Sequence, residues 1–146
     1  MDNLNMHKLF IDKNGQWYVD GALMISEKIV NLFASHLEKD SQDKYHIEWQ
    51  NYKYPVEVED APFFVQSISK QPDQLMIQLY DGRRLPFPSG SIIMKNNIPY
   101  ISLFSQCDTK LSLSSYCELC DNVIEQDGHY FIKYGDNQWR FEEIGC

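Results

Sequence analysis

Turn-forming residues that recur at short intervals through the middle of the chain constrain its fold most strongly. They separate short apolar runs between residues 60 and 97 and are rich in Pro, Gly, Asn and Asp. Connections this short favour antiparallel meanders over the long crossovers that parallel neighbours need. The separators are Asp60-Ala61-Pro62, Gln71-Pro72-Asp73, Asp81-Gly82, Pro88-Ser89-Gly90 and Asn96-Asn97. The predicted strands are Tyr45–Trp49, Val56–Glu59, Phe63–Ser69, Leu75–Tyr80, Leu85–Phe87, Ser91–Met94 and Pro99–Phe104.

Two segments have the apolar spacing of amphipathic helices. The first begins at Ser26, whose hydroxyl suits an N-cap, and the second begins at Ser114 or Ser115 and is closed by Asp127-Gly128. Each helix should turn its apolar face toward a sheet. The first face contains Ile29, Val30, Phe33, Ala34 and Leu37, and the second contains Tyr116, Leu119, Cys120 and Val123.

The order of the elements is similar in the two parts of the chain. Hairpin signals at Asn14-Gly15 and Gly135-Asp136 complete a pattern of strands, helix and strands on each side. We therefore predict an α+β fold of two β-rich halves with antiparallel meanders, each carrying one helix, packed as a compact unit. The halves are residues 1–72 (hairpin, helix and strands) and residues 73–146 (meander, helix and hairpin).

The net charge argues against polyanionic partners. The chain has 21 acidic and 13 basic residues, a formal charge of −8, and its densest basic pair is Arg83-Arg84. Nucleic acid and anionic membrane surfaces are therefore not expected as partners. The sequence shows no apolar run of signal-peptide or membrane-spanning length, so we expect a cytoplasmic protein. A homo-oligomer formed through an exposed strand edge stays open.

Several motifs, in a fixed order, carry a family resemblance over nearly the whole chain. The pieces are "FIDKNGQWYVDG", "IVNLFASHL", "VEVEDAPFFV", "IPYISL", "SSYCELCD" and "DGHYFIKYGDNQWRFEEIG". Together they resemble the bacterial family of uncharacterised proteins known as domain of unknown function 1285. The resemblance implies a two-part α+β fold with a repeated structural motif and no established enzymatic activity. Its structural signature lies at Gly21, Phe33, Glu59, Asp60, Pro62 and Phe63, with Trp17 and the rest of Leu32–Ser35 also matching.

The acidic stretch from Glu57 to Asp60 invites a catalytic interpretation. Strand alternation places Val56 and Val58 on one face and both glutamates on the other, which is typical of a half-buried strand with a solvated side. Asp60, before Ala61-Pro62, is suited to fixing the turn. A small metal-dependent or hydrolytic enzyme that uses Glu57, Glu59 and Asp60 is the alternative hypothesis.

Other chemical motifs are weak. Cys117 and Cys120 have the spacing of a zinc or redox pair, but Cys107 and Cys146 are distant in sequence and Cys120 falls on the apolar helix face. The four histidines are scattered, and no nucleophile, phosphate-binding or metalloprotease motif occurs. The sequence predicts no catalytic residue, no metal ligand and no cofactor.

Aromatic residues of the first half are the remaining signal. Trp, Tyr and Phe make up 14% of the chain, and several alternate along strands so that some face outward. An aromatic groove would suit a peptide or a small molecule, whereas the structural alternative is aromatic packing between sheet and helix. We expect a non-catalytic cytosolic binding or regulatory module that recognises a protein segment or small ligand in signalling. The candidate ligand-binding residues are Trp17, Tyr18, Trp49, Tyr52 and Tyr54.

Overall fold

The computed structural model of the chain describes residues 7–143, and these divide into two units. The N-terminal unit ends at Pro62 and the C-terminal unit begins at Phe63. The sequence analysis placed this division after residue 72. Strands Phe63–Lys70 and Leu75–Leu79 pair across the turn at that point, which keeps both in the C-terminal unit.

The N-terminal unit contains one mixed sheet and one helix within its described residues. In chain order these are β1 (Leu9–Ile11), β2 (Trp17–Val19), β3 (Ala22–Leu23), α1 (Glu27–Ser35), β4 (Leu37–Lys39), β5 (Tyr45–Trp49) and β6 (Tyr52–Val58). The sheet order is β3-β2-β1-β6-β5-β4, with β1 parallel to β6 and the other neighbours antiparallel. Alternate residues of these strands form the core on the face that α1 covers, among them Leu9, Ile11, Ile47 and Val56.

The described part of the C-terminal unit forms a longer sheet with one helix. Its elements are β7 (Phe63–Lys70), β8 (Leu75–Leu79), β9 (Arg84–Pro86), β10 (Ile92–Lys95), β11 (Ile98–Ile101), β12 (Thr109–Leu111), α2 (Leu113–Cys120), β13 (Val123–Gln126), β14 (His129–Tyr134) and β15 (Asn137–Glu142). The order is β13-β14-β15-β10-β11-β12-β7-β8-β9, with parallel pairs β10/β15 and β12/β7. Leu119 of α2 is buried in a core that includes Val65, Leu79, Ile92 and Trp139.

The N-terminal unit and the β10–β15 part of the C-terminal unit share one topology. The N-terminal unit consists of a three-strand meander (β1–β3), helix α1 and a second three-strand meander (β4–β6). Its first and last strands, β1 and β6, pair in parallel. In the C-terminal unit, β10 to β15 repeat this arrangement around α2 with β10 parallel to β15. The predicted α+β class is therefore confirmed, with one helix in the described part of each unit. The expectation of antiparallel meanders is corrected, because parallel pairs close each repeat.

Both helices are shorter than their apolar patterns suggest. Leu37 lies in β4 and Val123 in β13, because apolar residues continue at helical spacing after the chain has become extended. Ile29 of α1 is exposed, and Phe33 and Ala34 carry its buried face. Asp127-Gly128 forms the β13–β14 turn instead of closing α2. With lengths of nine and eight residues, neither described helix could cross a membrane.

Candidate ligand-binding pockets

Trp17 and Tyr54, two of the predicted ligand-binding aromatics, lie in the core of the N-terminal unit. Trp17 is 3% exposed, and its ring centroid is 6.1 Å from that of Phe33 on α1. Tyr54 is buried on the same face of the sheet. These rings fill the space between sheet and helix, which is the structural alternative considered for the aromatic residues.

Trp49 and Tyr52 lie opposite each other at the β5–β6 turn. The Trp49 ring is edge-on to His36 at 4.9 Å between centroids, and Tyr52 is 66% exposed. Gln50 and Asn51 between them both have positive φ, as expected of a tight two-residue hairpin. The exposed Tyr52 is thus available to a ligand, but its strand register places it on the helix-covered face with Tyr54.

Tyr18 points to the opposite face of the sheet, away from the other four predicted aromatics. It lines a hollow of about 430 Å³ together with Phe10, Lys8 and Glu57. The Tyr18 hydroxyl donates to Asp12 Oδ2 at 3.0 Å, and this hydrogen bond raises the pKa of Tyr18 above its ordinary value. Sheet alternation therefore separates the predicted set into two surfaces.

The acidic stretch follows the alternation predicted for it. Val56 is buried, whereas Glu57 is solvated and lies 3.6 Å from Lys8 Nζ. Glu59 Oε1 accepts the backbone N–H of Lys13 at 2.8 Å, which ties the end of β6 to the β1–β2 turn. Both carboxylates thus have structural contacts. The enzyme hypothesis for Glu57, Glu59 and Asp60 stays a hypothesis.

The signature positions lie at turns and in buried sites. Gly21 has a φ of 83° in the β2–β3 turn, a conformation in which a side chain would be strained. Phe33 is buried in the N-terminal unit, and Pro62 and Phe63 are buried at the end of one unit and the start of the other. Backbone conformation accounts for Gly21, and burial accounts for Phe33, Pro62 and Phe63.

The C-terminal unit contains a larger pocket, which we call the α2 pocket. It has a volume of about 670 Å³ and lies where the C-terminal half of α2 meets the ends of β10 and β15 and the start of β14. Its lining includes Met94, Tyr116, Cys120, Tyr130, Arg140 and Phe141.

Aromatic rings and one cation give the α2 pocket its chemical character. Tyr116 and Phe141 meet edge to face, with centroids 6.3 Å apart. Tyr130 is 54% exposed at the mouth, and Arg140 Nη2 lies 3.1 Å from His129 Nδ1. Such a lining offers apolar contact and stacking inside the pocket, whereas Arg140 alternates with Phe141 on β15 and can donate a charge-assisted hydrogen bond only at the border of the pocket.

Cys120, inside the α2 pocket, is a poor nucleophile. Burial raises the pKa of its thiol, and the hydrogen bond from the Tyr116 hydroxyl only partly offsets this effect. Burial also raises the pKa of Tyr116. Cys117 and Cys120 are free thiols, and Cys146 lies outside the described residues. A protonated, partly buried thiol is typical of packing and not of redox catalysis.

Sequence analysis missed the α2 pocket because its aromatics come from separate elements. Tyr116 was assigned to a helix face, and Tyr130 and Phe141 to an ordinary hairpin. β13, which adds Val123 to the lining, was not predicted as a strand. The available signal was Tyr130 in "HYFIKY", which strand alternation alone cannot assign to a pocket.

Comparisons with known proteins agree with the architecture. Neither the known family models nor the curated proteins include a match to the chain. Among solved structures, a DUF1285 family protein from Silicibacter pomeroyi DSS-3 is similar, with a TM-score of 0.78 and 18% identity over 94% of this chain and 80% of that one. A DUF1285 family protein from Shewanella baltica OS155 has a TM-score of 0.65 and 23% identity over 80% of this chain and 93% of that one.

The chain has the fold of DUF1285 proteins. The resemblance read from its sequence motifs is confirmed at this level. Identities of 18% and 23% establish the fold alone, and the names of both neighbours state no activity. Function must therefore be argued from the pockets and side chains of this chain.

Proposed function

We propose that the chain is a non-catalytic cytosolic binding module that recognises a small ligand in the α2 pocket. The observation that carries this proposal is the pocket's combination of size and lining. Its volume of about 670 Å³ lies within the range of roughly 300–1,000 Å³ that is usual for ligand sites. Tyr116, Tyr130 and Phe141 supply apolar walls, and Arg140 supplies a cation at the edge.

This lining favours a ligand with a flat apolar body and an acidic group. The rings of Tyr116 and Phe141 stand nearly perpendicular to each other, at 86°, and form a corner into which an aromatic ring can pack. Arg140 can donate to a carboxylate or a sulfonate. The acidic side chains Glu142 and Glu143, also in the lining, disfavour a ligand of higher negative charge.

A regulatory role in signalling is the form of this proposal that fits a sequence without a recognised catalytic motif. The apolar side chains of a protein segment could occupy the same walls as a small ligand. Nucleic acid and anionic membranes are not proposed as partners, because the net charge of −8 would repel them.

Fluorescence titration with 1-anilinonaphthalene-8-sulfonate tests the proposal, since this probe joins an aromatic body to one sulfonate. Saturable binding is expected, with a dissociation constant that Tyr130→Ala raises about tenfold through lost aromatic contact. Arg140→Gln should weaken the same probe through the sulfonate. Tyr130 and Arg140 are both exposed, so neither change should disturb the core.

Tyr52→Ala is the matched comparison. It removes an equally large exposed tyrosine from the N-terminal unit, one that the sequence had placed among the ligand-binding residues. Binding that is lost in Tyr52→Ala and kept in Tyr130→Ala would contradict the proposal and return the site to the N-terminal unit. Chemical-shift changes of Cys120 and Phe141 on adding the probe would place it in the α2 pocket directly.

A further inference from the structure

Three side chains with metal-binding chemistry meet on one face of the N-terminal sheet. Glu38 on β4 lies directly opposite His46 on β5 in the strand register. Glu48 follows His46 by two residues on β5, so it projects from the same face. We call these residues the β4–β5 cluster. They lie on the opposite face from Ile47, which belongs to the core.

The distances within the β4–β5 cluster suit a single ion. One ligand atom from each residue, a ring nitrogen of His46 and a carboxylate oxygen of each glutamate, lies within 4.8 Å of the others. His46 Nε2 is 3.8 Å from Glu38 Oε2. Ligands bonded tetrahedrally at about 2.0–2.1 Å are about 3.3 Å apart, so modest side-chain rotation closes the cluster around a metal.

His46 supplies an observation that is independent of the acidic residues. The residue is only 7% exposed, and its Nε2 atom is buried without a hydrogen-bond partner in the described part of the chain. Buried ring nitrogens are normally hydrogen-bonded, because leaving one unsatisfied is unfavourable. This nitrogen is directed toward Glu38 and lies within reach of Glu48. A metal ion would satisfy it.

The surrounding charges also fit a divalent ion. Two carboxylates and a neutral imidazole together balance a charge of +2. Lys53, opposite Glu48 on β6, is a neighbouring cation that opposes binding, but its exposed side chain can extend away from a bound ion into solvent. Asp40, near His46 at the end of β4, uses Oδ1 to accept the N–H groups of Gln42 and Lys44. Its carboxylate adds to the negative potential while it holds the β4–β5 turn.

We propose that Glu38, His46 and Glu48 form a binding site for a divalent transition-metal ion of the Zn²⁺, Co²⁺ and Ni²⁺ class. One imidazole nitrogen with two carboxylate oxygens is a donor set for such ions, whereas Mg²⁺ and Ca²⁺ prefer oxygen alone. Three protein ligands with both glutamates exposed leave coordination positions open to water or a ligand. The site is independent of the α2 pocket.

Calorimetric titration of the tag-free full-length chain with Zn²⁺ tests the proposal. One ion per chain is expected, with Mg²⁺ and Ca²⁺ failing to compete. Glu38→Gln and Glu48→Gln should each raise the dissociation constant about tenfold or more. Glu27→Gln, which removes an exposed carboxylate from α1 on the other side of the same sheet, is the matched control and should leave the constant unchanged.

Nitrogen chemical shifts of the histidine rings locate the ion without a substitution in the core. Zn²⁺ should move the Nε2 resonance of His46 and leave those of His36 and His129 in place. The proposal is overturned if Zn²⁺ shows no saturable binding, or if binding survives both glutamate substitutions. It is also overturned if binding is lost in Cys117→Ser and kept in Glu48→Gln, which would assign the ion to the cysteine pair of α2.

Discussion

Asp108 shows how one buried carboxylate organises a loop of the C-terminal unit. It is 2% exposed, and its two oxygens accept the backbone N–H groups of Leu103, Phe104 and Ser105 at 2.8, 2.9 and 3.0 Å. The Thr109 hydroxyl donates to it as well. The Asp108 carboxylate therefore serves as the acceptor for three N–H groups of the loop between β11 and β12.

Replacing Asp108 by Ala should therefore destabilise the protein strongly. Three partly buried N–H donors and the buried Thr109 hydroxyl would lose their acceptor, and we expect the free energy of unfolding to fall by about 3 kcal/mol. Asp108→Asn retains one acceptor oxygen and should lose less. Urea denaturation measures both, with the exposed Asp73→Ala as control at about 0.5 kcal/mol or less. Equal stability of Asp108→Ala and the control would refute this role.

Cys120 leads to a prediction on pH dependence. Because burial raises the pKa of its thiol, the reactive thiolate is scarce at neutral pH and becomes abundant only as pH rises through that raised pKa. Iodoacetamide should thus modify the exposed Cys117 faster than Cys120 near pH 7, and the difference should narrow at higher pH. Peptide mass spectrometry follows both sites. Equal rates near pH 7 would count against a buried Cys120.

A bound probe should protect one of these cysteines only. Cys120 lines the α2 pocket, and Cys117 lies one residue after Tyr116 on the exposed side of α2. Saturating 1-anilinonaphthalene-8-sulfonate should slow modification of Cys120 and leave Cys117 unchanged. Protection of both, or of neither, would place the probe outside the pocket.

At the level of secondary-structure elements, α2 begins two or three residues earlier than its sequence suggests. Ser112 Oγ accepts the Ser115 N–H at 3.1 Å and serves as the N-cap. Ser114 is exposed, and Ser115 is buried with its hydroxyl bonded to the Ser112 carbonyl. Serines cluster at this helix start, and composition alone does not show which one has the extended backbone that a cap requires.

Ser112→Ala should lower the free energy of unfolding by about 1 kcal/mol, the usual value of an N-cap hydroxyl. Ser114→Ala, a serine two positions further along, should change it little. Thermal and urea unfolding of the two variants compare them under the same conditions. A larger fall in the free energy of unfolding for Ser114→Ala than for Ser112→Ala would show that Ser114 is the N-cap.

Local chemistry explains which elements the sequence predicted well. β5 has the predicted bounds because alternation and turns mark both of its ends, and the Asn14-Gly15 hairpin formed as expected. β3 escaped prediction because its two residues give no readable period, and β13 because Val123 continues the helical spacing of α2. Parallel pairing, as in β1/β6, joins residues far apart in sequence, so no local pattern reports it.

The same reasoning explains the candidate sites. Aromatic composition predicted that rings would matter, but it did not show that Trp17 and Tyr18, neighbours on β2, lie on opposite faces of the sheet. The α2 pocket and the β4–β5 cluster depend on which strands are neighbours. The pattern His46-x-Glu48 was visible, whereas its third member, Glu38, required the β4–β5 register.

For the molecule as a whole, the edge strands of the two sheets determine whether copies of the chain can pair through their backbones. The edge strands are β3 and β4 in one unit and β13 and β9 in the other. They contain two, three, four and three residues, so each offers few free backbone groups. Short edges are one of the ways in which proteins avoid pairing with further copies.

We therefore expect the chain to be monomeric, with a mass of 17.2 kDa by light scattering after size exclusion. A net charge of −8 opposes association most strongly at low salt, because added ions screen repulsion between copies. The measurement should be made at low and at high salt to separate the two effects. Short edges predict one chain per particle at both. A mass of two chains at high salt alone would show that charge, and not the edges, keeps copies apart.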